Sequence, residues 1–243
     1  MSDIKTEQIA ENISVAQDGR GLILTTDACL LSAFVSKNAK QDICELGAGS
    51  GIISAMLLAN KKIRSSVCVD FQREMCDLAK KNAADNGLTD KMTVICADVL
   101  EFKTDKKFDA VVSNPPYFKA EDGRKNETEQ NRLCRHESTA TIEDFAACAC
   151  RILKDGGTAY FCYTPARLSE LLCALSSAGL EPKTLITVYP TVKHKPSLVL
   201  VSAKKGAQSG MMYERPLIIY KDAPGNEYTD DYIKLKTENR IKL

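Results

Sequence analysis

Hydrophobic positions from residue 42 onward alternate between short β-rich runs and longer stretches with helical spacing. The short runs are QDICEL, SSVCVDF, MTVICAD, KFDAVVS and TAYFCY. Helical spacing occurs between several of them and after the last, for example in REMCDLAKKNAADNG and ARLSELLCALSSAG. Because strands that alternate with helices are typical of βαβ units, we predict an α/β fold with a parallel sheet.

The two ends of this pattern differ from its middle. PKTLITVYP and PSLVLVSAK are two β-rich runs with only a short loop between them, which predicts an antiparallel hairpin at one edge of the sheet. Before residue 42, GLILTTDACLLSAFVSKN predicts a lead-in helix with an apolar face, capped by Thr25, Thr26 or Asp27.

The composition is that of an ordinary globular protein, with 44% hydrophobic and 27% charged residues. No linker rich in glycine, serine or proline interrupts the chain, so we predict one domain over residues 1–243. It would comprise a lead-in at 1–41, a core at 42–204 and a C-terminal extension at 205–243.

The ten cysteines do not predict a disulfide framework or a zinc site. The polar start MSDIKTEQIAEN lacks the apolar segment of a signal peptide, so we expect a cytoplasmic protein with reduced thiols. The sequence contains no C-x-x-C pair, and we therefore expect no metal. Apolar runs such as IISAMLLA are too short to span a bilayer.

The segment ELGAGSG, residues 45–51, follows a predicted strand and opens a predicted helix. Its glycines, Gly47, Gly49 and Gly51, allow a tight turn that brings backbone close to a ligand. A dinucleotide fingerprint would need glycine or alanine where this chain has Ile52, and no Gly-Lys-Ser/Thr follows for a P-loop. The pattern therefore favours a cofactor without a phosphate group.

Acidic residues come at or just after the ends of three successive predicted strands. Glu45 would suit a cationic or amino-bearing ligand, Asp70 can accept hydrogen bonds from ribose hydroxyls, and Asp98 can accept one from an adenine amino group. Taken alone, Asp70 or Asp98 is more typical of a turn or a helix cap. Beside a glycine turn, the three acids together describe S-adenosylmethionine.

The run VVSNPPYF ends a predicted strand with two prolines. Pro115 and Pro116 have no N–H for a sheet ladder, and Pro115 forces Asn114 into an extended conformation. A rigid loop flanked by Asn114 and Tyr117 should therefore begin here.

ELGAGSG, VCVDF, ICADV and SNPPY, in this order, resemble the class I S-adenosylmethionine-dependent methyltransferases that carry an Asn-Pro-Pro-Tyr motif and methylate amino groups. The resemblance covers roughly residues 42–204. It implies a Rossmann-like, seven-stranded, mostly parallel sheet with helices on both faces. It also implies cofactor contacts at Glu45, Leu46, Gly47, Gly49, Gly51, Asp70, Phe71, Asp98, Val99 and Asn114.

In that family the Asn-Pro-Pro-Tyr motif performs the catalysis, which implies roles for residues 114–117. The Asn114 oxygen and the Pro115 carbonyl would accept hydrogen bonds from a planar amino group, and Tyr117 would stack on the base. Pro116 would help to stiffen the loop. Because the lone pair of an adenine amino group is delocalised, such acceptors would orient it rather than deprotonate it.

A further resemblance extends over nearly the whole chain. TTDACLLSAF, RHE at residues 135–137 and ERPLIIYKDAPGNEYTDDYIKL are similar to bacterial valine-tRNA adenine-N6-methyltransferases. It implies that Thr25 and Asp27 border the methionine end of the cofactor. His136 would belong to a loop that orders over the substrate, or it is a solvated loop histidine.

A formal net charge of +1 does not exclude nucleic acid, because a local basic patch is sufficient. We interpret Lys193 and Lys195, and also Lys204 and Lys205, as candidate phosphate contacts, although solvated surface charge is the alternative.

These residues predict transfer of a methyl group from S-adenosylmethionine to adenine N6 in RNA, most simply tRNA. Three alternatives stay open at this stage: a protein glutamine amide or a DNA adenine as acceptor, and a non-catalytic module that binds S-adenosylmethionine or RNA. The intact residues Asn114 to Tyr117 favour an enzyme. Only about 40 residues precede the predicted sheet, which disfavours an added substrate-binding domain.

Overall fold

A computed structural model describes residues 4–10, 13–18, 26–116, 140–222 and 227–241. Within them, a mixed sheet is covered by helices on both faces. This confirms the predicted α/β fold.

The sheet in the described residues has nine strands, seven of them long. The long strands are β3 (Asp42–Leu46), β4 (Ser65–Asp70), β5 (Met92–Cys96), β6 (Phe108–Ser113), β7 (Leu153–Tyr163), β8 (Leu180–Tyr189) and β9 (Leu198–Lys205). Two-residue strands β10 (Met212–Tyr213) and β11 (Leu217–Ile218) both pair with the outer side of β8. The order across the sheet is β5-β4-β3-β6-β7-β9-β8-β10.

The strand directions define the edge of the sheet at which the parallel strands end. β3 to β7 run parallel, and β9 lies antiparallel between β7 and β8, so that β8 shares the direction of β7. The parallel strands end together at what we call the carboxyl edge. The turn at residues 190–197, which joins β8 to β9, lies at this same edge.

Six α-helices lie within the described residues. On one face are α1 (Thr26–Phe34), α2 (Ile52–Ala59), α3 (Arg73–Asp85) and α6 (Asp230–Glu238), and on the other are α4 (Ile142–Ile152) and α5 (Leu168–Ser177). A 3₁₀ turn at Pro165–Arg167 precedes α5. The predicted lead-in helix is α1, which buries Leu30 and Leu31. None of these helices has the length and apolarity needed to cross a bilayer.

An N-terminal hairpin that we did not predict packs against α3. It consists of β1 (Ile4–Ala10) and β2 (Ile13–Asp18). The buried Asn82 accepts a hydrogen bond from Ala16 N at 2.8 Å and donates to Ala16 O at 3.3 Å and to Ser50 O at 2.9 Å. One asparagine therefore links the hairpin to the loop that precedes α2.

The end of the C-terminal extension is held by a buried lysine. Lys62 Nζ donates to Ser32 O at 2.7 Å, to Ala33 O at 3.2 Å and to Asn239 O at 3.0 Å. These carbonyls belong to the last turn of α1 and to the residue after α6. Burial lowers the pKa of Lys62 to about 7, and its three donor positions are all used.

We predict that Asn82→Leu lowers the free energy of unfolding by about 2 kcal/mol or more, since it leaves buried backbone groups of Ala16 and Ser50 without a partner. Urea unfolding measures this change. The neighbouring exposed substitution Lys81→Leu is the control, because its pair with Asp85 is a surface pair worth under about 1 kcal/mol. Equal losses in the two variants would contradict the proposed link.

Candidate functional site

The glycine turn at residues 47–51 lies at the carboxyl edge and is bound to the end of β4. Gly47 N and Ala48 N donate to Val69 O at 2.9 and 3.0 Å, and Gly51 N donates to Ala48 O at 2.9 Å. The φ angles of Gly47, Gly49 and Gly51 are 67°, 52° and 72°. Each glycine therefore has the left-handed conformation that the sequence pattern predicts.

The three glycines differ in what surrounds them. A Cβ at Gly51 would overlap the Met92 methyl group, and one at Gly47 would lie 3.3 Å from the Phe145 ring. A Cβ at Gly49 would meet no atom within 4 Å among the described residues. The turn is therefore packed against the fold at Gly51 and Gly47 and open at Gly49, where a ligand can approach the backbone.

Asp70, the last residue of β4, already holds the open part of the turn. Its Oδ2 accepts a hydrogen bond from Gly49 N at 2.7 Å, and its Oδ1 accepts one from Gln72 N at 2.9 Å. Burial raises the pKa of Asp70. Because each carboxylate oxygen can accept two hydrogen bonds, this geometry leaves room for the predicted ribose hydroxyls.

Glu45 lies inside the fold and does not face the open edge. Its side chain is 1% exposed, and Oε2 accepts hydrogen bonds from the backbone N–H of Ser54 at 2.9 Å and from its hydroxyl. Burial raises the pKa of Glu45 to about 7. A direct contact of Glu45 with the ligand stays a prediction, and Glu45 can also affect a ligand through its charge and through the first turn of α2.

Asp98 forms the turn that follows β5. Its Oδ1 accepts from Leu100 N at 2.9 Å, and its carbonyl accepts from Glu101 N and Phe102 N. The turn-forming role that the sequence left open is thus present, while adenine binding stays a prediction. Val99 is buried beside it.

The predicted catalytic loop begins next to the glycine turn. The Ser113 hydroxyl donates to Leu46 O at 2.9 Å and joins the end of β6 to the end of β3. The strand ends at Ser113, as the prolines predict. Asn114 is half-buried, Pro115 is buried and Pro116 is exposed.

Other predicted site residues are only partly placed. Phe71 follows Asp70 and is half-buried, and Asp27 is half-buried in the first turn of α1. Thr25, Tyr117 and His136 lie outside the described residues, so their roles stay predictions.

The lysines predicted to contact phosphate lie at opposite edges of the sheet. Lys193 and Lys195 are exposed in the turn at the carboxyl edge, and Lys193 Nζ lies 2.7 Å from Asp222 Oδ2. Lys204 and Lys205 are at the other edge, because β9 runs in the opposite direction. A phosphate contact of Lys204 or Lys205 would therefore involve a different part of the RNA from the carboxyl-edge pair, and it stays a prediction.

Sequence reasoning missed two serines that position the site, Ser54 and Ser113. Ser54 is a single polar residue within the apolar run IISAMLLA and is fully buried. A buried hydroxyl needs a partner, so this pattern could have predicted the contact with Glu45. No comparable signal marks Ser113.

The family model of the methyltransferase small domain matches residues 25–164 of this chain. Relatives described as tRNA1(Val) (adenine(37)-N6)-methyltransferase match over nearly the full length. The Vibrio campbellii protein is 25% identical over 92% of this chain and 90% of its own length. The Bacteroides thetaiotaomicron protein is 29% identical over 96% of each.

Solved structures support the fold. A predicted O-methyltransferase from Agrobacterium tumefaciens has a TM-score of 0.72 at 22% identity, covering 89% of this chain and 98% of that one. Pyrococcus horikoshii TYW2, solved in complex with MeSAdo, has a TM-score of 0.60 at 13% identity, covering 85% and 73%. At these identities the likeness concerns the fold alone.

We predict that two glycine substitutions separate stability from ligand binding. Both add the strain of a left-handed alanine, about 1–2 kcal/mol. Gly51→Ala also overlaps Met92 and should lose about 3 kcal/mol or more of unfolding free energy in total. Gly49→Ala should lose only the strain energy but weaken S-adenosylhomocysteine binding about tenfold, because its methyl group enters the open side. Urea unfolding measures the loss of stability, and calorimetric titration measures S-adenosylhomocysteine affinity. If Gly49→Ala bound S-adenosylhomocysteine as tightly as the wild type, the ligand would not approach the backbone at Gly49.

Glu45 should make stability depend on pH. Its folded pKa of about 7 lies above the ordinary glutamate value of 4.5, so the folded protein binds more protons between these pH values than the unfolded chain. The free energy of unfolding should therefore fall as pH rises from about 4.5 to 7, by roughly 2–3 kcal/mol from this group. Glu45→Gln removes this contribution, and the difference between the two proteins in urea unfolding at pH 5 and pH 7.5 reports it. Parallel pH profiles would show that Glu45 does not titrate in this range.

Proposed function

Because this chain belongs to the family of the methyltransferase small domain, we propose that it transfers a methyl group from S-adenosylmethionine to the N6 amine of an adenine in tRNA. The observation that carries this proposal is the near full-length match to relatives described as tRNA adenine-N6-methyltransferases.

The residues at the carboxyl edge suit S-adenosylmethionine. Gly49 offers open backbone, and Asp70 has acceptor capacity for ribose hydroxyls. The buried charge of Glu45 suits a ligand with a sulfonium. When bound, the cofactor supplies an electrophilic methyl group, while Asp98 is the proposed partner of its adenine.

Asn114 and Pro115 are the proposed acceptors for the target amine. They directly follow β6, whose end is joined to Leu46 beside the glycine turn through Ser113. The buried Pro115 limits the freedom of this loop. A fixed carbonyl and amide oxygen would orient the amine toward the methyl group without a base, which is catalysis by positioning. The N–CH3 bond would form as the S–CH3 bond breaks, with the neutral thioether as leaving group, and the methylated amine would then lose its extra proton to water.

Lys193 and Lys195 are the proposed contacts to RNA phosphates. Both lie at the carboxyl edge of the sheet, the edge at which Asn114 follows β6. Lys193 pairs with Asp222 at 2.7 Å. Because this pair is exposed, breaking it so that Lys193 can contact a phosphate costs about 1 kcal/mol or less. The partner is thus proposed to be RNA, bound through the backbone and held at the edge where the chemistry occurs.

Methyl transfer to competing acceptors tests the proposal. Labelled S-adenosylmethionine would be incubated with the enzyme and unmodified tRNA, with ribosomal protein and duplex DNA in parallel, followed by nucleoside and amino-acid analysis. We expect label in N6-methyladenosine from tRNA. Label in protein glutamine or in DNA would show that the acceptor is protein or DNA and not tRNA. Cofactor binding without methyl transfer would indicate a non-catalytic module.

We predict that Asn114→Ala lowers the rate of methyl transfer by about 100-fold or more, corresponding to roughly 3 kcal/mol of transition-state stabilisation. Its affinity for S-adenosylhomocysteine should stay near that of the wild type. Asn60→Ala, at the end of α2 and outside the site, is the control and should retain normal turnover. Unchanged turnover by Asn114→Ala would remove this residue from the proposed mechanism.

A further inference from the structure

Three tyrosines of the C-terminal extension form a contiguous cluster at the carboxyl edge. The rings of Tyr220 and Tyr228 stack with centroids 5.2 Å apart and an interplanar angle of 20°. Tyr228 also contacts Tyr232 at 4.9 Å, and Lys236 Nζ lies 5.2 Å from the Tyr228 ring centroid. We call Tyr220, Tyr228 and Tyr232 the tyrosine cluster.

Backbone hydrogen bonds fix this cluster beside the end of β8. Tyr220 N donates to Pro190 O at 2.8 Å, directly before the turn that carries Lys193 and Lys195. Tyr220 and Tyr228 form an antiparallel bridge. Thr229 then caps α6, accepting from Tyr232 N at 3.2 Å and donating to Ile218 O at 2.6 Å. The cluster is therefore rigidly placed relative to the sheet.

The tyrosine cluster also packs against α1, the helix whose first turn contains the predicted cofactor contact Asp27. Tyr232 is 4% exposed and lies in the same buried apolar cluster as Leu30 and Leu31 of α1. Burial raises the pKa of the Tyr232 hydroxyl to about 12. Because Tyr220 N donates to Pro190 O directly after the end of β8, the tyrosine cluster lies at the same edge of the sheet as the glycine turn.

The exposure of the three rings differs in a way that a purely structural role does not require. Tyr232 is buried and Tyr220 is half-buried, whereas Tyr228 is 37% exposed with a lysine over its ring. Burial of Tyr232 is enough to attach α6 to α1. Exposed tyrosine rings with adjacent cations are features that bind unstacked nucleobases.

The charges around the cluster allow a polyanion to approach. Asp222 pairs with Lys193 at 2.7 Å, and Lys221 lies 3.6 Å from Glu227 and 3.9 Å from Asp230. Asp231 lies in the first turn of α6, where the helix dipole stabilises it. Lys236 adds positive charge over the Tyr228 ring, and Lys195 is exposed in the turn that follows Pro190.

We propose that the tyrosine cluster and Lys236 bind a nucleotide of the RNA that flanks the target adenine: Lys236 moves from the face of the Tyr228 ring to the nucleotide's phosphate, and the base stacks on that face, opposite Tyr220. This proposal rests on the proposed function, and it adds a second point of recognition outside the Asn114 loop. Because every base has a face that can stack, the subsite would require an unpaired nucleotide rather than a particular base.

Variants of Tyr228 and a matched surface tyrosine test this subsite. Tyr228→Phe keeps the ring, Tyr228→Leu keeps apolar volume without it, and Tyr213→Leu is the control on β10, where Tyr213 is 61% exposed. We expect Tyr228→Leu to weaken tRNA binding and raise KM about tenfold, with kcat and S-adenosylhomocysteine affinity within about twofold of wild type. Tyr228→Phe and the control should resemble wild type.

Lys236→Gln tests the phosphate contact separately. The slope of log affinity for tRNA against log salt should decrease by about 0.7 in this variant, the value for one phosphate of a single strand. Tyr228→Leu should leave the slope unchanged, since stacking releases no counterion.

The outcomes separate this inference from the proposed function. If the wild type methylates tRNA and Tyr228→Leu binds tRNA equally well, the subsite is wrong and the proposed function stands. If Tyr228→Leu lost tRNA binding because the variant misfolds, its thermal midpoint would fall and its S-adenosylhomocysteine binding would weaken as well. That result would overturn the stacking role. If the wild type neither binds nor methylates tRNA, both proposals fail.

Discussion

The hydrogen bonds between the end of β4 and the glycine turn are the constraint on which the rest of the site depends. Val69 O binds two N–H groups of the turn, and the Asp70 carboxylate binds a third at Gly49. On its other side the turn is held by Asn82, which donates to Ser50 O. The turn is therefore held from two sides, and of its three glycines Gly49 is the one with no neighbouring atom within 4 Å of an added Cβ in the described part of the chain.

Two acids beside this turn are held in an environment that disfavours their charged forms. Burial raises the pKa of both Glu45 and Asp70, and the charge of Asp70 raises that of Glu45 further. A cationic ligand would stabilise both ionised acids, so its binding should be coupled to proton release. A neutral product of methyl transfer would lack this contribution, which gives the site a physical basis for distinguishing a sulfonium from a thioether.

The sequence predicted the seven long strands because alternation and strand length are local properties, whereas the hairpin β1–β2 depends on distant residues. Its partners Asn82 and Asn86 lie 66 and 72 residues away along the chain. For Glu45, the sequence predicted the position at the strand end but not the contact of its side chain with Ser54. Side chains alternate along a strand, so Glu45 shares the face of Ile43, which packs with α1 and α2. This parity could have shown that Glu45 faces α2. The contacts of Ser113 and the tyrosine cluster could not be predicted, because they join elements that only the fold brings together.

The C-terminal extension depends on one buried cation. Helices α1 and α6 both begin at the carboxyl edge and both end at Lys62, whose ammonium binds carbonyls from the two helix ends. Such carbonyls carry the negative end of the helix dipole, so a lysine binds both ends where an apolar residue would leave them unpaired. Asn239, with a φ of 44°, completes the junction by bonding Ser32. Because α6 carries Tyr232 and Lys236, the proposed RNA subsite is held at both ends of this helix: by Thr229 and Ile218 at the carboxyl edge, and by Lys62 at the opposite edge.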